Sequence, residues 1–174
     1  MNFLQKISTT KLVLIIATFL TLTGNAKFFS ETAIIYSWSD NTLFLISLFF
    51  WLFSFLAILL LLVSYRYSVK PILVLLLLIS SIVAYFANNY GIVIDDNMIA
   101  NSMETNMAES LDLFSLKLVL YFFVLGAIPS YWVYKVKITH LKFSQQLRSK
   151  LKAIIILTIV FILVTLAFSK SYTS

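Results

Sequence analysis

Apolar residues along this 174-residue chain gather in five long blocks separated by polar stretches. The blocks cover approximately residues 12–29, 43–65, 71–87, 118–136 and 153–169. A hydrocarbon core about 30 Å thick takes about 20 helical residues to cross, so runs of this length and character mark membrane spans. They show none of the period-two alternation of barrel strands, the other structure able to satisfy its backbone in lipid. The expected fold is therefore all-α and integral to a membrane, with five transmembrane helices. Two prolines punctuate them. Pro71 falls in the first turn of the third span, where a missing N–H costs nothing, whereas Pro129 falls inside the fourth and should kink it. Packing is expected to rest on Leu, Ile and Phe rather than on small-residue motifs.

The polar connections carry the orientation. Lys6, Lys11, Arg66, Lys70, Lys135, Lys137, Lys142, Arg148, Lys150 and Lys152 all fall on one side of this five-span arrangement, ten of the thirteen basic residues. The other side keeps Lys27, Lys117 and Lys170 together with all seven acids, Glu31, Asp40, Asp95, Asp96, Glu104, Glu109 and Asp112. The positive-inside rule then makes the basic side cytoplasmic, with the N-terminus inside and the C-terminus outside. The net charge of +6 is accounted for as a topology determinant in contact with anionic headgroups, so no nucleic-acid partner is expected.

Composition agrees: 61% of residues are hydrophobic and 11% charged, against about 25% charged in a soluble domain. With no Cys and with His140 as the only His, neither a zinc cluster nor a Ser-His-Asp triad can be assembled from this chain. Trp38, Trp51 and Trp132 are expected as packing residues and interfacial anchors. The first block also allows a second reading. Lys6 and Lys11, an apolar core and Gly24-Asn25-Ala26 have the layout of a cleavable signal peptide.

The most informative stretch is the long connection between the third and fourth spans. After Tyr90-Gly91, Asp95 or Asp96 is placed to cap a helix, and Ile99, Met103, Met107, Leu111 and Phe114 follow at helical spacing. At about 100° per residue they share one side, while Asn101, Thr105, Glu109 and Asp112 share the other. The pattern predicts a periplasmic amphipathic helix over about 96–116, lying at the membrane–water boundary. On its polar face an amide, a hydroxyl and a carboxylate recur one turn apart, over roughly 12 Å. Such a ladder suits a zwitterionic headgroup, with Glu109 pairing an ammonium and Asn101 and Thr105 donating to phosphate oxygens. A merely solvated face has the same pattern, and periodicity does not choose between the two.

The chain also resembles a known family. Ser64-Tyr65-Arg66-Tyr67-Ser68-Val69-Lys70-Pro71-Ile72-Leu73, Tyr90-Gly91, Asn101-x-x-x-Thr105-x-x-x-Glu109, the Leu125-Gly126-x-x-Pro129-Ser130 of the fourth span and the closing Ala167-Phe168-Ser169 with Tyr172-x-Ser174 are similar to the N-terminal membrane domain of the phosphoethanolamine–lipid A transferases. That family includes the mobile colistin-resistance enzymes, and the likeness runs in order along essentially the whole chain. It implies a bacterial inner-membrane location and retention of the first span. It also implies transfer of phosphoethanolamine from phosphatidylethanolamine to a threonine nucleophile, and then to a phosphate of lipid A, lowering the charge that polymyxins bind. In the family the nucleophile and a zinc site belong to a periplasmic catalytic domain after the fifth span. The resemblance therefore implies that this chain carries no cofactor and is inactive by itself, zinc belonging to that further domain. By position, Asn101, Thr105 and Glu109 match residues lining the phosphoethanolamine site from the membrane side, and Tyr90 matches a fourth.

Two other functions compete with this one. A plain membrane anchor would leave the ladder solvated. A transporter or flippase for a small amphiphile would be expected to carry charges deep in its spans and an internal inverted repeat, and the sequence has neither.

Overall fold

Ser8 starts the first helix: its backbone is extended and its hydroxyl accepts from the Lys11 N–H, satisfying one of the orphan donors at a helix start. Helix α1 (Thr9–Thr23) is followed by α2 (Ala26–Ile35), α3 (Trp38–Val63) and α4 (Val69–Tyr90). A second half comprises α5 (Leu116–Tyr121), a π-helical segment (Phe122–Ala127), α6 (Ile128–Lys135) and α7 (Phe143–Ala167). The structure, a computed structural model, describes residues 6–65, 67–90, 115–139 and 142–168. Extended pairing among these is confined to one parallel bridge between Ile7 and Ile138.

Among the described residues, four helical stretches are long and apolar enough to cross a membrane: α3, α4, the continuous run Leu116–Lys135, and α7. A fifth is reached if α1 and α2 count as one span, but they meet at a bend of 51°. The predicted continuous first span, 12–29, is thus broken. Gly24 ends α1, and Asn25 turns its side-chain amide back to donate to Leu20 O at 3.1 Å, drawing on a carbonyl of the last turn. The Gly24-Asn25 pair that also fits a cleavage-site layout coincides with this helix break. Fifteen residues rise only about 22 Å, so α1 alone falls short of a full crossing.

The other spans match the apolar blocks with shifted ends. Helix α3 begins earlier than expected, with non-helical backbone at Asn41, and α7 starts ten residues before its predicted boundary, in the basic segment. Near Pro129 the fourth span widens into the π-helical segment Phe122–Ala127, and the Ile128 N–H bonds to Phe123 O, five residues back. The wider turn lies directly before a residue that supplies no N–H and whose ring crowds the carbonyl four residues earlier.

The core sits around α1. Leu12, Val13, Ile16, Ala17 and Leu20 are buried at helical spacing and pack with Ala57, Leu60 and Leu61 of α3, Leu73 and Leu77 of α4, Val133 of α6 and Leu157 of α7. Helix α3 packs extensively against α7, and α4 against the π segment and α6, so α1 lies between two helix groups. Trp51 belongs to the α3–α7 contact: its indole N–H donates to Thr165 Oγ1 at 3.1 Å and its ring tilts on Phe161.

Small residues matter more than predicted. A Cβ on Gly24 would stand 2.6 Å from Ser80 Oγ, and one on Gly126 would stand 2.6 Å from Ser81 Oγ. Adjacent serines of α4 therefore abut the end of α1 and the π segment respectively, at approaches that only glycine permits. In lipid, where apolar contact alone drives little association, such close approaches add to the packing of the aliphatic core.

At the basic end, lysines close helix termini from neighbouring elements. Lys150 of α7 donates to the Leu61 and Ser64 carbonyls at the end of α3, and Lys70 donates to Tyr134 O at 2.7 Å at the end of α6. Each places a cation where four carbonyls lack intrahelical partners and the helix dipole is negative.

Candidate functional site

The opposite end of the bundle holds the end of α4 and the start of α5. Tyr90 is the last residue of α4. Asn101, Thr105 and Glu109, with most of the amphipathic helix predicted over 96–116, lie outside the described residues. Ser115, the first described residue after these, has extended backbone (φ −98°, ψ 153°) and acts as the N-cap of α5.

What the structure defines is the pair of anchors flanking residues 91–114. Tyr85, one and a half turns before the end of α4, hydrogen-bonds through its hydroxyl to Ser115 Oγ at 2.7 Å. Ser115 Oγ also accepts from the Leu118 N–H at 3.1 Å, so one side chain caps α5 and joins it to α4. The Tyr85 ring meets Tyr121 edge-on with centroids 5.7 Å apart, and Asn89 donates to Tyr85 O at 2.8 Å. The end of α4 and the start of α5 are thereby tied, so the described residues that flank the predicted ladder are held at one place.

Beside this tie a recess of about 460 Å³ opens between the α1–α2 break, the last turn of α4 and the π segment. Leu22, Leu120, Val124 and Leu125 give it an apolar wall, while Thr23, Asn88 and Tyr121 bring polar groups. The Thr23 hydroxyl is engaged with Phe19 O at 2.8 Å. A wall of this kind is suited to a lipid chain with its polar end beside Asn88 and Tyr121.

Sequence reasoning did not single out Tyr85, Asn88, Ser115 or Tyr121. Ser115 had a signal, being a capping residue immediately before an apolar run. Nothing in the sequence separates Tyr85 from the other eight tyrosines. Among the described residues no three His, Cys, Asp or Glu side chains stand together.

Apolar helices, cross-helix lysine caps and a lipid-facing recess define a polytopic helical membrane domain. The family profile described as Phosphoethanolamine transferase EptA/EptB matches residues 52–174. The chain belongs to this family and corresponds to its N-terminal membrane domain. It is 35% identical over 171 residues to Phosphatidylethanolamine transferase Mcr-1 of Escherichia coli, covering 98% of this chain and 32% of that protein. Phosphoethanolamine transferase EptA of Escherichia coli K12 is 31% identical over 170 residues, 30% of its length. The fold is similar to that of the integral membrane protein lipooligosaccharide phosphoethanolamine transferase A (EptA) from Neisseria meningitidis, with a TM-score of 0.88 over 97% of this chain and 32% of that one, at 20% identity. The chain thus spans about a third of the length of these relatives.

Proposed function

We propose that this chain is the membrane-embedded part of a phosphoethanolamine transferase, and that it binds the headgroup of the donor, phosphatidylethanolamine, in the inner membrane. The observation that carries the reading is the Tyr85–Ser115 tie, which gathers both ends of residues 91–114 beside an apolar recess. The recess takes a donor acyl chain. The Glu109 carboxylate pairs the ammonium, Asn101 and Thr105 donate to the phosphodiester, and the Tyr90 hydroxyl provides a fourth polar contact.

In this reading α1 and α2 together form the first of five spans, the N-terminus is cytoplasmic, and the tied end faces the periplasm. Headgroup capture there presents the phosphorus to a threonine nucleophile in a periplasmic catalytic domain, where zinc would stabilise the developing charge. The threonine oxygen takes phosphoethanolamine as diacylglycerol leaves, and a lipid A phosphate oxygen then takes it from the threonine, freeing that hydroxyl and reducing polymyxin and colistin binding. The membrane domain's own contribution is position: a donor held in the bilayer with its headgroup at the surface meets the nucleophile without a bimolecular search.

The test is lipid retention by the purified chain in nanodiscs containing phosphatidylethanolamine and phosphatidylglycerol, for the parent and Glu109→Ala. Retained phosphatidylethanolamine is expected to fall severalfold in Glu109→Ala while phosphatidylglycerol stays constant. Equal retention of phosphatidylethanolamine by both proteins would leave this chain a membrane anchor.

A further inference from the structure

The basic end of the bundle holds a second cavity, of about 740 Å³, walled by Lys6, Lys70, Lys135 and Lys137 with Tyr67. Three separate elements bring these ammonium groups together: the segment before α1, the first turn of α4, and the end of α6 with the residues after it. Their placement is held by backbone. The Ile7 N–H donates to Lys137 O at 3.1 Å and the Thr139 N–H donates to Ile7 O at 2.9 Å, fastening the strands that carry Lys6 and Lys137. Lys70 is anchored on Tyr134 O, and Lys135 lies 5.4 Å from the centroid of the Tyr131 ring.

No carboxylate offsets this charge among the described residues. The acids there are Glu31, paired with Lys27 at 2.6 Å, and Asp40 in the first turn of α3, both toward the other end of the bundle. Four lysines around one cavity, with no counter-charge among the described residues, favour an anion.

A second feature decides which anion. Tyr67 also lines a neighbouring groove of about 410 Å³ between the end of α3 and the start of α7, whose wall includes Leu61, Leu62, Phe143, Leu147 and Leu151. An apolar groove adjoining a basic cavity fits an amphiphile, with phosphate among the lysines and an acyl chain along α3 and α7. A free phosphate would use only the first, and a nucleic acid would gain nothing from the second. We propose that this end of the bundle is a binding site for an anionic phospholipid, separate from the donor site at the other end. Basic recesses between membrane helices recognise acidic headgroups in this way.

Phosphatidylglycerol is the probe, presented with phosphatidylethanolamine to the full chain and read by native mass spectrometry of retained lipid. The double substitution Lys6→Gln/Lys137→Gln is expected to lower phosphatidylglycerol retention roughly 25-fold, since each surface lysine contributes roughly a factor of five to acidic-lipid binding. Phosphatidylethanolamine retention and its sensitivity to Glu109→Ala should not change, which keeps this site distinguishable from the donor site. Leu147→Trp, which fills the groove and leaves every charge in place, should also weaken phosphatidylglycerol retention. It decides the matter if the lysine variant does not fold. Millimolar inorganic phosphate should not displace the lipid. Phosphatidylglycerol retention unchanged in folded Lys6→Gln/Lys137→Gln, or unchanged in Leu147→Trp, would overturn the proposal. Displacement by inorganic phosphate would overturn it in favour of a free-anion site.

Discussion

Gly126 shows how much a single hydrogen contributes here. It is buried in the π segment, and any β-carbon there would meet Ser81 Oγ at 2.6 Å and Ser81 Cβ at 3.2 Å. Ser81 cannot simply rotate away, because its hydroxyl is bonded to Leu78 O at 2.7 Å and the residue is 1% exposed. Gly126→Ala is therefore expected to destabilise the domain by about 1–3 kcal/mol, the usual cost of overpacking. Adding Ser81→Ala removes the nearer of the two clashing atoms and should recover part of that loss. A double-mutant cycle on thermal melts in detergent measures it, and additive losses would show that the two residues do not oppose each other. At this scale the sequence was least legible. The glycine and the serine stand 45 positions apart, and no periodicity links them.

Helices were far more legible than their packing. Apolar length located α3, α4, the fourth span and α7, and Pro129 marked the region of the π distortion. Periodicity did not reveal which face of each helix is internal, because lipid and protein interior both accept leucine. A buried Leu77 and a lipid-exposed Leu163 look alike in sequence, yet one is 0% and the other 61% exposed. The break at Gly24-Asn25 had a visible signal in the glycine itself, one that fits a cleavage-site layout equally well. Burial predicts a contrast between elements. Ile16→Ala on α1, 2% exposed in the parent, should cost about 2–5 kcal/mol by leaving a cavity. Leu163→Ala on the lipid face of α7 should stay within about 0.5 kcal/mol. Comparable losses in reversible unfolding would show that α1 is not the centre of the bundle.

The whole molecule is polar along its axis. Its lysine-closed end carries the four-lysine cavity, and its tied end carries Glu31, Asp40 and the anchors of residues 91–114. Charge sorting made this polarity legible from sequence. The Tyr85–Ser115 tie was not, because it joins side chains across a connection whose length the pattern alone does not close. The absence of cysteine makes the orientation simple to test. In intact cells an impermeant maleimide should label Ser37→Cys, in the exposed turn between α2 and α3, and should spare Lys137→Cys until the membrane is opened. The reverse pattern would invert the proposed topology and remove the donor site from the periplasm.

The central place of α1 also bears on the order in which the domain is made. The helix that α3, α4 and α7 pack against emerges from the ribosome before any of them, and it is the one too short to hold the bilayer by its own length. The neighbours that bury its apolar face, α3 and then α4, are made after it. A lesion in α1 should accordingly surface as nascent chains handed to quality-control proteases, well before it could be seen as a loss of activity in finished protein.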